Sequence, residues 1–90
     1  MNITLRQLRY FLALARQGHF TRAAETAHVT QPALSMQIRA LEDEVGSPLV
    51  ERTPLGVVLT PQGRALESHA RQVMAAMAGL EQAMRQPGQG

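Results

Sequence analysis

The chain has 90 residues, 44% of them hydrophobic, with two phenylalanines, one tyrosine and no cysteine. Ninety residues suit one small domain; without cysteine there is no disulfide, thiolate nucleophile or cysteine–zinc site, and no apolar run reaches the roughly 20 residues that cross a bilayer. The net charge is only +2 and all nine basic residues are arginine, so the placement of arginine matters more than the total.

A first helix is predicted over Leu5–Gln17. Thr4 with Gln7 forms a capping box, Ile3 can staple to Leu8, and Gly18 supplies the stop. Leu5, Leu8, Leu12 and Ala15, with Phe11 beside them, make its inward face. Arg6 and Arg9 interrupt the N-terminal apolar pattern, so no secretory signal is expected. The predicted location is the cytoplasm, on the nucleoid.

Residues 20–41 decide the reading. They spell a short helix, a three-residue turn and a second helix, the layout of a helix-turn-helix. Thr21 is the predicted N-cap of the short helix, and Ala23, Ala24 and Ala27 provide the small side chains that two closely crossing helices need. His28 and Val29 break it, and Thr30 caps the next. There Leu34, Ile38, Leu41 and Val45 recur at spacings of four, three and four, one apolar stripe facing a core. Pro32 sits in the first turn, where its missing N–H costs little. The opposite side carries Pro32, Met36 and Arg39, flanked by Gln31 and Ser35.

Charge says which end of this helix meets a polyanion. Residues 30–41 hold Arg39 and no acid, whereas Glu42, Asp43 and Glu44 crowd the far end, read here as solvated. Carboxylates repel phosphate, so the N-terminal half is the predicted DNA reader, helped by the positive end of the helix dipole. Gln31 can bond adenine bidentately, and Ser35 can serve either base type. The competing reading is a solvated polar face on an ordinary helical hairpin.

After Gly46 and Pro48 come two β-like runs, Leu49–Arg52 and Val57–Leu59, joined by Thr53-Pro54-Leu55-Gly56. A hairpin following a reading helix is a wing. Arg52 is its only basic residue, placed either on DNA or in a surface ion pair with a neighbour such as Glu51.

Thr60-Pro61 starts a long helix predicted over 61–86. Leu66, Ala70, Val73, Met77, Leu80 and Met84 alternate steps of four and three, the seam of a helix pair and the predicted dimer contact. The alternative is that the seam only covers the core, but such a helix is roughly 39 Å long at 1.5 Å per residue, more than a body this small can cover. Residues 87–90 read as a flexible tail. His19, His28 and His69 have no metal-site spacing. Ser35 and Ser47 lack a nucleophile-elbow setting, and Gly56 and Gly63 are separate turn residues. No enzyme activity and no cofactor are expected within these residues.

The predicted fold is mainly α: a winged helix-turn-helix (three helices plus a two-stranded wing) over 1–60 and a linker and dimerisation helix over 61–86. The function expected of such a fold is sequence-specific binding of double-stranded DNA as a homodimer, without a membrane partner. The rival from another class is a helical dimer that docks a protein partner and never touches DNA.

The motifs 5–11 (Leu-Arg-Gln-Leu-Arg-Tyr-Phe), 20–24 (Phe-Thr-Arg-Ala-Ala), 29–35 (Val-Thr-Gln-Pro-Ala-Leu-Ser), 37–42 (Gln-Ile-Arg-Ala-Leu-Glu), 48–53 (Pro-Leu-Val-Glu-Arg-Thr) and 59–63 (Leu-Thr-Pro-Gln-Gly) stand in order at the right separations. The chain resembles, over residues 3–86, the N-terminal DNA-binding domain of LysR-type transcriptional regulators. The resemblance implies a dimer on imperfect inverted repeats, with higher assembly open to the full-length protein. It also implies a larger C-terminal domain outside these residues that receives a small-molecule or redox effector. It places DNA contacts at Thr30, Gln31, Pro32, Ser35, Met36 and Gln37, with the wing near Arg52; Thr21 and Arg39 join them as candidate phosphate contacts. Met36 departs from the polar or basic reader common at its position and can touch a thymine methyl but makes no strong hydrogen bond. Leu55 and Val58 stand where the wing often carries Arg or Lys, and Val50 replaces a frequent aromatic. His19-Phe20, His28-Val29 and Leu41-Glu42-Asp43-Glu44 are most similar to the hydrogen-peroxide-sensing branch of that family.

Overall fold

Thr4 opens the first helix, α1 (Leu5–Gln17), as the capping box predicts: its hydroxyl accepts from the Gln7 N–H at 3.1 Å, and Gln7 Oε1 accepts from the Thr4 N–H at 3.1 Å. Gly18 ends it at φ 71°, a left-handed turn that glycine adopts without strain. The computed structural model describes residues 1–86 and Gly88; apart from that glycine, the tail expected over 87–90 lies outside the described residues.

The buried face of α1 differs from the one its leucine spacing suggests. Gln7, Leu8, Phe11, Ala13 and Leu14 are buried, while Leu5, Leu12 and Ala15 are only half-buried. The reason is that α1 is the central scaffold. It packs against α2 (Phe20–Ala27), α3 (Gln31–Val45) and α4 (Pro61–Met84), so a stripe drawn for one partner misses the positions facing the others.

The short helix α2 begins one residue before its expected cap. Phe20 is its first residue, and His19 is the N-cap, with extended backbone and no side-chain cap bond. Burial of the Phe20 ring draws the chain into the helix there, which leaves Thr21 exposed inside it. Ala23 and Ala24 are buried at the crossing, as their size requires, and Ala27 is half-buried. His28 ends α2 at φ 60°, and the Val29 N–H bonds back to the Ala24 carbonyl at 3.0 Å. Phe11, Leu14, Leu34, Leu41 and Leu49 form the centre of the core, each contributing about 1.5–3 kcal/mol on burial.

The acidic end of α3 is built into the fold. Glu42 Oε2 accepts from the Leu49 N–H at 2.8 Å and from the Val50 N–H at 3.4 Å, and Glu44 Oε2 accepts from the Asn2 N–H at 2.8 Å. Asp43 and Glu44 are both exposed, which fits the solvated reading; Glu42 is half-buried and departs from it. Glu42 thereby ties the start of the wing to α3. Because Leu49 is buried, its N–H has no easy replacement partner. Glu42→Ala is expected to cost about 2 kcal/mol in urea denaturation, the worth of a charge-assisted bond plus an orphaned donor. Glu42→Gln should keep much of that stability.

The wing pairs β1 (Val50–Thr53) with β2 (Gly56–Leu59) antiparallel, in the register Val50↔Leu59 to Thr53↔Gly56. It is held against the α1–α2 corner by the Val57 N–H, which donates to the Gly18 carbonyl at 2.8 Å. Thr60 then joins wing to α4. Its N–H donates to the Leu49 carbonyl at 3.0 Å, its hydroxyl donates to the Pro48 carbonyl at 2.8 Å, and it caps Gly63 at 3.0 Å. The helix ends at Met84 with Arg85 as its C-cap, two residues short of the expected boundary. Its 24 residues span roughly 36 Å, most of the molecule's 54 Å long axis.

Candidate nucleic-acid interface

Core packing fixes which side of α3 faces outward. Leu34, Ile38 and Leu41 are buried, so Gln31, Pro32, Met36 and Arg39 are exposed, with Ser35 half-buried at the edge. Thr30 caps the helix by accepting from the Ala33 N–H at 3.2 Å, and its hydroxyl proton remains free to donate outward. No acid stands in the first turn, so the positive end of the dipole is uncompensated there.

Ser35, Arg39 and Arg52 are brought together. With Phe20, Ile38, Glu42 and Val50 they line a concavity of about 150 Å³ between α3 and the wing. The Arg52 guanidinium sits 4.1 Å from the centroid of the Phe20 ring, a cation–π contact that aims it. Glu51 and Arg52 are successive strand residues and face opposite sides of the wing. Among the described residues the ion pair present is Arg71–Glu67, at 2.9 Å, so the suggested Glu51–Arg52 pair does not form.

Two expected readers stand apart. Gln37 is half-buried and its Oε1 accepts a long bond, 3.5 Å, from Nε2 of buried Gln7. It ties α3 to α1 and does not extend freely from the surface. Thr21 lies exposed in the first turn of α2. Gln7, Phe20 and Glu42, which position the interface from beneath, are absent from the expected set. Of these, Phe20 alone carried a usable sign, an aromatic at a helix start in a chain with only three.

The seam on α4 splits. Leu66 packs against the core and Ala70 is 1% exposed, so Ala70 is covered by its own chain and has no surface to offer a partner. Met77 is half-buried, whereas Val73, Leu80 and Met84 are 39%, 53% and 74% exposed. Among the described residues no three His, Cys, Asp or Glu side chains gather to hold a metal, and no helix is long and apolar enough to cross a membrane.

Residues 5–64 match the family model of the bacterial regulatory helix-turn-helix protein, lysR family. The chain belongs to the LysR family. It is 51% identical over 80 residues to the HTH-type transcriptional regulator BudR of Klebsiella aerogenes, covering 88% of this chain and 56% of BudR. It is 45% identical over 87 residues to the DNA-binding transcriptional dual regulator OxyR of Escherichia coli K12, covering 97% of this chain and 28% of OxyR. This LysR-family chain thus spans less than two thirds of these curated relatives. A hydrogen peroxide-inducible genes activator of Escherichia coli, at 45% identity, stands beside the RuBisCO operon transcriptional regulator of Allochromatium vinosum, at 46%. Among solved structures, the BenM DNA-binding domain in complex with catB site 1 DNA superposes with a TM-score of 0.91 at 34% identity, covering 98% of this chain and 99% of that one. Such coverage includes helix, wing and α4 alike.

Proposed function

We propose that this LysR-family chain is the DNA-binding domain of a transcriptional regulator that reads inverted repeats in double-stranded DNA as a dimer, in the cytoplasm and without catalysing a reaction. The observation that carries the reading is the outward face of α3, where Gln31, Pro32, Met36 and Arg39 stand clear of the core at the unblocked N-terminal half of a helix. The likeness to a domain solved on its DNA supports the same face as the reader. Gln31 and Ser35 serve base edges in the major groove. Thr21, Thr30, Arg39 and Arg52 serve phosphates, with Arg52 presented from the wing. Gln37 joins as a reader only by leaving Gln7. Dimerisation falls to the outer part of the α4 seam, exposed Val73, Leu80 and Met84 with half-buried Met77.

The test is selection of bound sites from random duplex DNA by the purified chain, followed by sequencing. The expected result is an enriched inverted repeat whose half-sites lie one or more turns apart, roughly 34–36 Å per turn. No enrichment, even from a chain forced into a dimer, would sink the reading. On a selected site Gln31→Ala should weaken binding by about 1–3 kcal/mol in a fluorescence-anisotropy titration. Its affinity for random duplex should stay level; equal losses on both would remove Gln31 from base reading.

A further inference from the structure

The middle of the outward face of α3 is apolar. Met36 is 68% exposed, and exposed Pro32 stands one helical turn before it, so the two form an i,i+4 pair on one side of the helix. A pyrrolidine ring and a thioether carry no hydrogen-bond donor and only a weak acceptor. They are therefore blind to the ring nitrogens, carbonyls and amino groups by which base pairs differ in hydrogen bonding. The one apolar mark in the major groove is the C5-methyl of thymine. Polar groups adjoin the ridge, Gln31 at its start and Arg39 one turn beyond Met36, so a methyl seated on it would be excluded from water by side chains engaged with DNA.

We propose that the Pro32–Met36 ridge reads the 5-methyl group of a pyrimidine. The inference rests on the DNA-binding reading and gives it a chemical preference: thymine over uracil at the position facing Met36, and 5-methylcytosine over cytosine if cytosine is placed there. The methionine chain is unbranched and adaptable, so it can close over a methyl group whose exact position varies with local DNA shape.

The experiment takes a site selected from random duplex DNA and replaces its thymines by deoxyuridine one at a time, titrating wild-type chain, Met36→Ala and Met36→Leu. Wild type should lose about three- to five-fold in affinity at one thymine per half-site, the factor expected for one buried methyl. Met36→Ala, a favourable substitution on an exposed helix face, should show no uracil penalty at that position, and Met36→Leu should retain it. With cytosine and 5-methylcytosine placed there, wild type should prefer the methylated duplex by a similar factor. A wild-type chain that binds a fully uracil-substituted site as tightly as the thymine site overturns this inference and leaves DNA binding intact. A uracil penalty unchanged in Met36→Ala overturns the assignment to this ridge. A chain that selects no site, even when forced into a dimer, overturns both readings together.

Discussion

Gly63→Ala is expected to destabilise the domain by about 2–3 kcal/mol, measured as a lower urea midpoint with an unchanged slope. Gly63 lies in the first turn of α4, and a Cβ there would overlap the Leu49 carbonyl oxygen while approaching the Leu49 carbonyl carbon at 3.1 Å and Leu59 Cβ at 3.3 Å. Helix propensity acts the other way, favouring alanine by about 1 kcal/mol. Packing wins because the obstacle cannot move freely. Leu49 is 1% exposed, its carbonyl accepts from the Thr60 N–H at 3.0 Å, and Thr60 is itself bonded to Pro48 and Gly63. Shifting any one of these strains the others, at roughly 1 kcal/mol per bond lost. The control is Gly79→Ala, farther along the same helix with nothing within 4 Å of its Cβ position. That change should raise stability by up to about 1 kcal/mol. If both variants gain, Gly63 is not a packing constraint and the wing–α4 junction is looser than its geometry.

Local chemistry was legible in the sequence wherever one residue type answers one backbone need. Thr4 with Gln7, Thr30, Thr60 and Gly18 all cap helices where their identities predict, and the apolar spacing of Leu34, Ile38 and Leu41 is the buried face of α3. The departures arise where a third element intervenes. Thr21 is a good cap by type, but the helix starts at the buried Phe20 with His19 as its cap, two residues earlier. Ala13 and Leu14 fall outside a single stripe because α1 is covered from more than one side. Within the candidate interface, exposure of Gln31, Pro32, Met36 and Arg39 follows from helical period alone. The inward tie of Gln37 to Gln7, the Arg52–Phe20 contact and the grip of Glu42 on Leu49 join residues 30, 32 and 7 positions apart across different elements, and no periodicity reports such pairs. Ala70 shows the same limit in reverse. A heptad seam states that a face will be covered, and only the position of α1 says which part its own chain covers.

Leu80→Asp is expected to convert the dimer to a monomer, read as a halved mass in sedimentation velocity with circular dichroism preserved. Val73 and Leu80 are seven residues apart, as are Met77 and Met84, and Val73, Leu80 and Met84 are exposed in the single chain, so the heptad face has apolar surface left over. In a two-fold contact each substitution counts twice. Two carboxylates placed into an apolar seam lose water without gaining a partner, which outweighs any gain from solvating the seam. A hundred-fold weaker dimer corresponds to about 2.8 kcal/mol, a modest demand for two buried charges. The change leaves the folded chain alone, because Leu80 is 53% exposed there. Ala70→Asp is the contrast: Ala70 is covered by its own chain, so that variant should lose helical signal and stability before it loses a partner. On DNA the Leu80→Asp chain should keep contact with a single half-site but lose the gain of holding two at once, which depends on the link between subunits. Its affinity for an inverted repeat should fall toward that for one half-site, and the salt dependence should flatten as the number of phosphates contacted drops by half. An unchanged sedimentation mass would move the dimer contact off α4. A monomer that still binds the inverted repeat with full affinity would mean that DNA itself assembles the pair, with α4 serving only to space the two readers.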